Sequence, residues 1–295
     1  MRVKHIQILV AILLLSFLVT GCSKSSNISS SPPANPVYER VMQSGTIRCG
    51  YFLYPPYCMK DPNTGKFSGI FVDVLEEAGK NLGFKIKWTE EVGLGTMIEG
   101  LESNRYDLVP TGVWPNANRA RHASFSAPLF YSGVGVWVRS NDNRFNNNLQ
   151  AINSESVRIA AVDGTIEQLI AKNQFPHARL LALPEMSDFT QLMLDVVDKK
   201  ADVIFIEPSG GVRFLKHNPG TIKNIAENKP ISVFANTMMF KIGDSAFKSM
   251  LDTALTELVN TGYVDEVLSK YAPQPGVYYR LAPPYVVERS NKSKD

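Results

Sequence analysis

The chain has 295 residues, of which 31 are basic and 28 acidic, and 44% of its residues are hydrophobic. This near balance of charge excludes a surface built to attract nucleic acid, and the length allows two domains of ordinary size. The four histidines are scattered, no spacing typical of a zinc site occurs, and no P-loop is present, so we expect neither a metal nor a cofactor.

The N-terminal segment predicts export. Two basic residues precede an apolar run over 6–19, which is shorter than the ~20 residues that a membrane-spanning helix needs. The closing sequence VTGC resembles a bacterial lipobox. This resemblance implies a signal peptide over 1–21, a lipid on Cys22, and a flexible tether over 22–43 that holds the protein on a membrane, facing the periplasm or the cell exterior. A transmembrane anchor with a chance cysteine stays an alternative.

The first half of the remaining chain predicts an α/β unit. Strand patterns over 45–52, 84–90 and 106–112 alternate with helix patterns over 68–82 and 97–103. Ser68 is positioned to cap the first of these helices. The resulting β-α-β-α-β order predicts a mainly parallel sheet that is covered by helices on both sides.

A second unit of the same kind follows the polar segment over 140–148. Strand patterns over 157–162 and 201–206 enclose helix patterns over 166–173 and 187–200. The chain then returns to the first unit and ends this pattern with a pair of amphipathic helices.

Two crossings between the units predict a hinge, with a ligand cleft where the strand ends of the two units face each other. We expect lobe I to comprise 44–138 and 237–271, and lobe II to comprise 139–236. The proline-rich segment over 272–295 is interpreted as a tail on the surface of the protein.

Two cysteines remain after Cys22. Cys49 and Cys58 are nine residues apart, and an oxidising compartment permits them to form a disulfide. Equally, Cys49 fits the interior of the first strand as a small core residue, so both interpretations stay open.

The order and spacing of several segments over 45–271 resemble the extracellular solute-binding proteins of polar amino acid ABC transporters, family 3. These segments are IRCGYFLYPPY, DPNTGKFSGIFVDVLEEAGKNLGF, NRYDLVPTG, NRARHASFSAPLFYSGVGVWV and ADVIFIEPS. The resemblance implies a two-lobed periplasmic-binding-protein fold of type II, with two mainly parallel sheets, a hinge and an interlobe cleft. It also implies a monomer that captures a small amino acid or related carboxylated solute and delivers it to an ABC permease.

In lobe I, the resemblance assigns the carboxylate of the ligand to Arg119, whose guanidinium can engage both oxygens. Thr111 and Gly112 match positions that add a hydroxyl and backbone donors, whereas Trp114 stands where a serine or threonine is common.

The loop after the first strand is rich in aromatic residues. Tyr54 matches the ring that covers the ligand in relatives, and Tyr51 lies beside it. This loop carries no acidic residue, so we expect an aromatic, apolar or small zwitterionic ligand rather than lysine or arginine.

In lobe II, Gly164 and Thr165 match a turn that binds the ligand carboxylate at a helix N-terminus, although Thr165 equally fits a helix cap. Glu207 follows the strand VIFI at the position of an acidic residue, usually aspartate, that binds the amino group of the ligand.

An enzyme of the same fold is the alternative. Periplasmic cyclohexadienyl dehydratases resemble binding proteins but use a buried glutamate as a general acid, and Glu207 is the candidate for that role here. No hydrolase, kinase or metalloprotease motif occurs. We therefore expect a binding protein and not an enzyme.

Overall fold

The computed structural model describes residues 36–272, 274 and 277–280. Most of its strands form one curled β-sheet, and two short strands, 59–60 and 67–68, form a separate antiparallel pair. In chain order, the strands are β1 (Thr46–Tyr51), β2 (Met59–Lys60), β3 (Phe67–Ser68), β4 (Lys85–Glu91), β5 (Leu108–Val113), β6 (Ala123–Phe125), β7 (Phe130–Arg139), β8 (Arg158–Val162), β9 (Arg179–Leu183), β10 (Val203–Ile206), β11 (Ile222–Asn224), β12 (Ser232–Lys241) and β13 (Tyr278–Tyr279).

Helices pack against this sheet on both sides. They are α1 (Pro36–Ser44), α2 (Ile70–Leu82), α3 (Met97–Glu102), α4 (Ala117–Ala120), α5 (Ile166–Gln174), α6 (Phe189–Val197), α7 (Pro208–His217), α8 (Ser245–Asn260) and α9 (Tyr263–Tyr271). Among the described residues, no helix combines the length and the apolar character that crossing a bilayer requires.

The sheet divides into two halves of the same design, one in each lobe. In lobe I the order is β4-β1-β5-β12, and in lobe II it is β9-β8-β10-β7. Within each half, three strands are parallel and the fourth, β12 or β7, is antiparallel to its neighbour. The predicted two-lobed α/β fold is therefore confirmed, and the two mainly parallel sheets are the halves of one sheet, which continues from one lobe to the other through β12 and β7.

The long strands β7 and β12 join the two halves and form the hinge. Their first halves pair with each other, from Phe130 opposite Asn236 to Val134 opposite Ser232. Beyond this point β7 pairs with β10 in lobe II, and β12 pairs with β5 in lobe I. We propose that lobe II begins at Gly135, about four residues before the boundary predicted from the sequence.

Both ends of the predicted globular region differ from the sequence prediction. The tether was expected to reach residue 43, but residues 36–44 form α1, and Val37 and Val41 of this helix are buried in the lobe I core. Part of the expected surface tail forms β13, which pairs with β7, and Val277 just before it is buried. The apolar side chains at both ends explain the difference, because they bury against the lobes. The predicted signal peptide and Cys22 lie outside the described residues.

The structure also tests the predictions for the two cysteines and for Ser68. Cys49 and Cys58 are both buried free thiols, so the interpretation of Cys49 as a core residue is confirmed and the disulfide is not formed. Burial raises the pKa of Cys58 to about 12, which keeps its thiol protonated and unreactive. Ser68 does not cap α2. It lies in β3, where it pairs with Met59 of β2, and Gly69 occupies the cap position instead.

Equivalent ion pairs anchor β1 in lobe I and β8 in lobe II. Asp107, just before β5, accepts a hydrogen bond from the backbone N–H of Arg48 and from its guanidinium. Asp202, just before β10, does the same for Arg158 and also binds Arg139. Burial alone would raise the pKa of Asp202, but the hydrogen bonds from these arginines together hold it well below its usual range.

Replacing Asp202 with alanine is expected to lower the free energy of unfolding by about 3 kcal/mol, because this buried carboxylate binds three arginines and the mostly buried Arg139 keeps only Asp142 as an acidic partner. Chemical denaturation measures this loss. Asp198→Ala is the matched control, since Asp198 pairs with Lys200 at the surface and the change should cost less than about 0.5 kcal/mol. Equal effects of the two substitutions would contradict the structural role of Asp202.

Candidate functional site

A cavity of about 50 Å³ lies between the lobes and is called the inner cavity below. Its walls are mostly aromatic and apolar, and its ionisable groups are few. The aromatic residues are Phe52, Tyr54, Tyr57, Trp114 and Phe189; the apolar ones are Leu94, Met97, Gly112, Val113 and Ile166; the remaining ones are Arg119, Thr165 and Glu167. Few polar groups in an apolar surrounding are typical of a small-molecule site.

Arg119 lines the inner cavity from lobe I. It lies in the short helix α4, whose first turn is fixed because the side chain of Asn116 accepts a hydrogen bond from the Arg119 N–H. The guanidinium donates to the carbonyl of Trp114 at 2.9 Å and, across the cleft, to the carbonyl of Gly164 at 3.0 Å. Burial lowers the pKa of Arg119 to about 10, so the group stays charged at neutral pH.

The predicted turn of lobe II faces Arg119. Gly164 has a φ of +76°, and a Cβ there would lie 3.0 Å from the Gly95 nitrogen of lobe I, so a glycine is needed for both the turn and the close approach. Thr165 lines the inner cavity, but its hydroxyl donates to the carbonyl of Val162 and accepts from the N–H of Gln168. Thr165 is therefore a helix cap, which was the alternative interpretation of this residue.

Glu167 is the carboxylic acid of the inner cavity, and the sequence analysis did not identify it. It lies in the first turn of α5 and is 7% exposed. Burial raises the pKa of Glu167 to about 7, and the positive charge of Arg119 opposes this rise. An acidic residue in a first helical turn is normally explained by the helix dipole, so the sequence gives no sign that this side chain is buried.

Glu207 is placed differently from the prediction. It follows β10 and is completely buried, yet it lies behind Tyr57 and does not line the inner cavity. Its Oε1 accepts hydrogen bonds from the hydroxyls of Tyr57, at 2.8 Å, and Ser132. Burial raises the pKa of Glu207 to about 7, although these hydrogen bonds oppose the rise. Hydroxyl donors inside the fold thus occupy Oε1 of the carboxylate that was expected to reach the ligand, whereas its Oε2 is buried without a hydrogen-bond partner among the described residues.

The hydrogen bonds around Glu207 continue through the hinge. Ser132 of β7 accepts from Asn236 of β12 at 2.8 Å, and Asn236 in turn accepts from the indole N–H of Trp114 at 2.9 Å. This buried chain of hydrogen bonds is called the hinge network below. It connects Trp114, a wall of the inner cavity, to Glu207 in lobe II.

The other predicted residues divide into two groups. Tyr54, Trp114 and Gly112 line the inner cavity, and Gly112 has a φ of +76° with no room for a Cβ beside the Tyr57 ring. Thr111 is buried next to them but does not line the cavity. Tyr51 points elsewhere and packs edge-on against Phe67 and Trp88, so it is not part of the cavity wall.

Phe189 is a further cavity residue that the sequence analysis missed. It is the first residue of α6 in lobe II. The centroid of its ring lies 4.7 Å from the centroid of the Tyr54 ring in lobe I, and the two rings meet edge to face. In the sequence it belongs to an ordinary amphipathic helix pattern. Only the packing of the two lobes brings it against Tyr54.

Residues 47–274 match the sequence profile of the bacterial extracellular solute-binding proteins, family 3. The chain belongs to this family. Because the match covers both lobes and the hinge, the family membership applies to the region that contains the inner cavity.

Relatives of this family 3 protein include a probable amino-acid ABC transporter-binding protein of Haemophilus influenzae, 29% identical over 45% of this chain and 50% of that protein. A cyclohexadienyl dehydratase of Pseudomonas aeruginosa is 25% identical over 57% of this chain and 62% of that enzyme. The chain thus spans only about half to three fifths of these two curated relatives.

The fold is similar to that of solved amino acid-binding proteins. An ancestral amino acid-binding protein, described as a precursor of cyclohexadienyl dehydratase, superposes with a TM-score of 0.70. The match covers 81% of this chain and 99% of that one at 20% identity. At this identity the likeness establishes the two-lobed fold and leaves the ligand undetermined.

The buried carboxyl of Glu207 predicts a pH dependence of stability. Its pKa is raised from 4.5 to about 7 in the folded state, so between these values the folded protein binds more protons than the unfolded chain. The free energy of unfolding therefore falls as pH rises across this interval, by up to about 3 kcal/mol from this group. Glu207→Gln should remove this part of the slope in urea denaturation series at several pH values.

The exposed Glu99 provides the control for this prediction. Glu99→Gln is expected to leave the slope as it is in the unsubstituted protein. An identical slope in the Glu207→Gln protein and the unsubstituted protein would show that the buried carboxyl does not titrate in this interval.

Proposed function

We propose that this protein is the binding component of an ABC importer and captures a small amino acid between its two lobes. The observation that carries this proposal is that Arg119 from lobe I and Glu167 from lobe II line the same aromatic cavity. A cation and an acid on opposite sides of a small cavity are complementary to the carboxylate and the ammonium group of an amino acid.

Arg119 is the proposed carboxylate ligand. A guanidinium has five N–H donors, and two hydrogen bonds to backbone carbonyls account for only part of them. These two bonds also hold the group in one orientation, which lowers the entropic cost of binding. Because Arg119 is desolvated, a carboxylate beside it interacts more strongly than it would in water.

Glu167 is the proposed ligand for the ammonium group, in place of Glu207. It lines the inner cavity, and its pKa of about 7 allows it to ionise when a cation approaches. Glu207 is separated from the cavity by Tyr57 and already accepts two hydrogen bonds. Its proposed role is to support the hinge network.

Capture by lobe closure follows from the split of the site between the lobes. Arg119 and Tyr54 belong to lobe I, whereas Glu167 and Phe189 belong to lobe II. A ligand that binds all four favours the arrangement in which they are close together, and this preference is the free energy that drives closure. The aromatic walls of the inner cavity favour an apolar or aromatic portion of the ligand side chain at this point.

The remaining parts of the proposal come from the N-terminal sequence and the family. We propose that the chain is exported, anchored by a lipid on Cys22, and active as a monomer that delivers its ligand to a membrane permease. Supporting observations are the lipobox-like VTGC sequence and the ABC transporter role named for the relative from Haemophilus influenzae.

The dehydratase alternative is not proposed. It required Glu207 as a general acid in contact with the substrate, and a proton donor must lie within hydrogen-bonding reach of the reacting group. Glu207 lies behind Tyr57 and outside the lining of the inner cavity. Despite the likeness to the Pseudomonas aeruginosa enzyme, the acid on which this alternative depends is therefore not in contact with the cavity.

Arg119→Met should weaken binding of the ligand about 100-fold or more, since a bidentate, charged pair of hydrogen bonds is lost. A thermal-shift screen against the common amino acids identifies the ligand, and calorimetry then measures its affinity. Arg121→Met is the matched control, because Arg121 is an exposed arginine two residues away. Unchanged affinity in the Arg119→Met protein, or no stabilisation by any amino acid, would contradict the proposed function.

The affinity for a zwitterionic ligand should increase from about pH 6 to about pH 8, because Glu167, with a pKa of about 7, becomes negatively charged over this range. Glu167→Gln should remove this increase and leave the affinity low at both pH values. Calorimetric titrations at several pH values check this expectation. A pH dependence that survives in Glu167→Gln would exclude Glu167 as the ligand of the ammonium group.

A further inference from the structure

A second cavity lies beside the inner cavity. It has a volume of about 400 Å³ and is called the outer cavity here. Four residues line both cavities: Phe52, Tyr54, Leu94 and Phe189. The two spaces are therefore separated by a single layer of side chains, whose central contact is between Tyr54 and Phe189.

Arg213 of α7 is a half-buried cation that lines the outer cavity. It forms neither a hydrogen bond nor an ion pair with any residue that the structure describes. Burial lowers the pKa of Arg213 below its usual value, although the group remains positively charged. A partly desolvated charge without a counter-ion costs free energy, and a bound anion would offset this cost.

Three acidic residues, Glu91, Glu185 and Asp188, line the outer cavity together with Arg213, and Lys60 is a second basic residue there. Asp188 accepts the N–H of Thr190 at 2.7 Å, and Glu185 accepts the N–H of Gly95 at 2.8 Å. Glu207 is close to Arg213, but burial raises its pKa to about 7. Within the described part of the chain none of these carboxyls forms a hydrogen bond or an ion pair with Arg213, so its guanidinium is available to a carboxylate of the ligand.

The aromatic contact between the cavities belongs to both lobes. Tyr54 comes from lobe I and Phe189 from lobe II, so the two rings separate when the lobes open. An extended aliphatic chain can then lie between them as the lobes close, in contact with both rings. The layer of side chains between the cavities is therefore compatible with a ligand that occupies both cavities at once.

We propose that the ligand is an elongated amino acid whose α-carboxylate binds Arg119 in the inner cavity and whose distal carboxylate binds Arg213 in the outer cavity. This inference rests on the proposed function and adds the chemical class of the ligand. Arg213 is then the residue that determines specificity for the distal group, while the aromatic pair holds the chain between the two ends.

The inference is tested with pairs of ligands that differ only at the distal end. L-Norleucine and L-2-aminoadipate have chains of the same length, one ending in a methyl group and the other in a carboxylate. L-2-Aminoheptanoate and L-2-aminopimelate are the same pair with one more methylene. Calorimetry with the purified protein should give an affinity at least about 10-fold higher for the carboxylate member of one pair.

Substitutions of Arg213 test whether this residue causes the preference for a distal carboxylate. Arg213→Met should abolish the preference for the distal carboxylate and change the affinity for L-norleucine by less than about twofold, because only the outer contact is lost. Arg213→Glu should instead favour L-lysine, whose distal group is positive. Arg121→Met is the control for removal of an arginine outside the cavities and should change nothing.

The outcomes separate this inference from the proposed function. Equal affinity within both ligand pairs, or a preference that survives Arg213→Met, overturns the role of the outer cavity while binding at Arg119 still supports amino acid capture. If no member of either pair binds, and the amino acid screen is also negative, both proposals are wrong. The comparison of ligands in the unsubstituted protein decides the question even if the Arg213 variants fail to fold.

Discussion

The hinge network is the constraint on which the two-lobed arrangement depends. Trp114 donates to Asn236, Asn236 donates to Ser132, and Ser132 and Tyr57 both donate to Glu207. Buried polar groups stabilise a fold only when they are paired, so each residue of the hinge network depends on its hydrogen-bond partners. Because Ser132 and Asn236 lie on the two strands that cross between the lobes, the network fixes how these strands meet.

The same network connects the hinge to the cavity walls. Trp114 and Tyr57 each present a ring to the inner cavity while their polar atoms bind within the network. The Trp114 ring also stacks on Phe234, which lies in the hinge strand β12. The C-terminal strand β13 adds to this region, since Tyr278 packs against Phe130 and Tyr57. Cavity shape and hinge geometry therefore depend on the same side chains.

Much of the fold could be predicted because its signals are local. The alternation of strand and helix patterns gave the element order, and the observed bounds of β1, β8 and α5 agree with the patterns to within two residues. Predictions failed where burial decides the outcome, as for α1 and β13, which pack on the lobes through a few apolar side chains.

The sequence by itself determined the α/β class, the two units, the positions of Arg119, Gly112 and Gly164, and the presence of an acid after β10. These features depend on short-range periodicity and on motifs that stay within one element. Only the tertiary structure decided which acid faces the cavity. Glu167 and Glu207 are both buried, and the position of the Tyr57 ring, set by contacts distant in sequence, places one at the ligand and the other in the hinge.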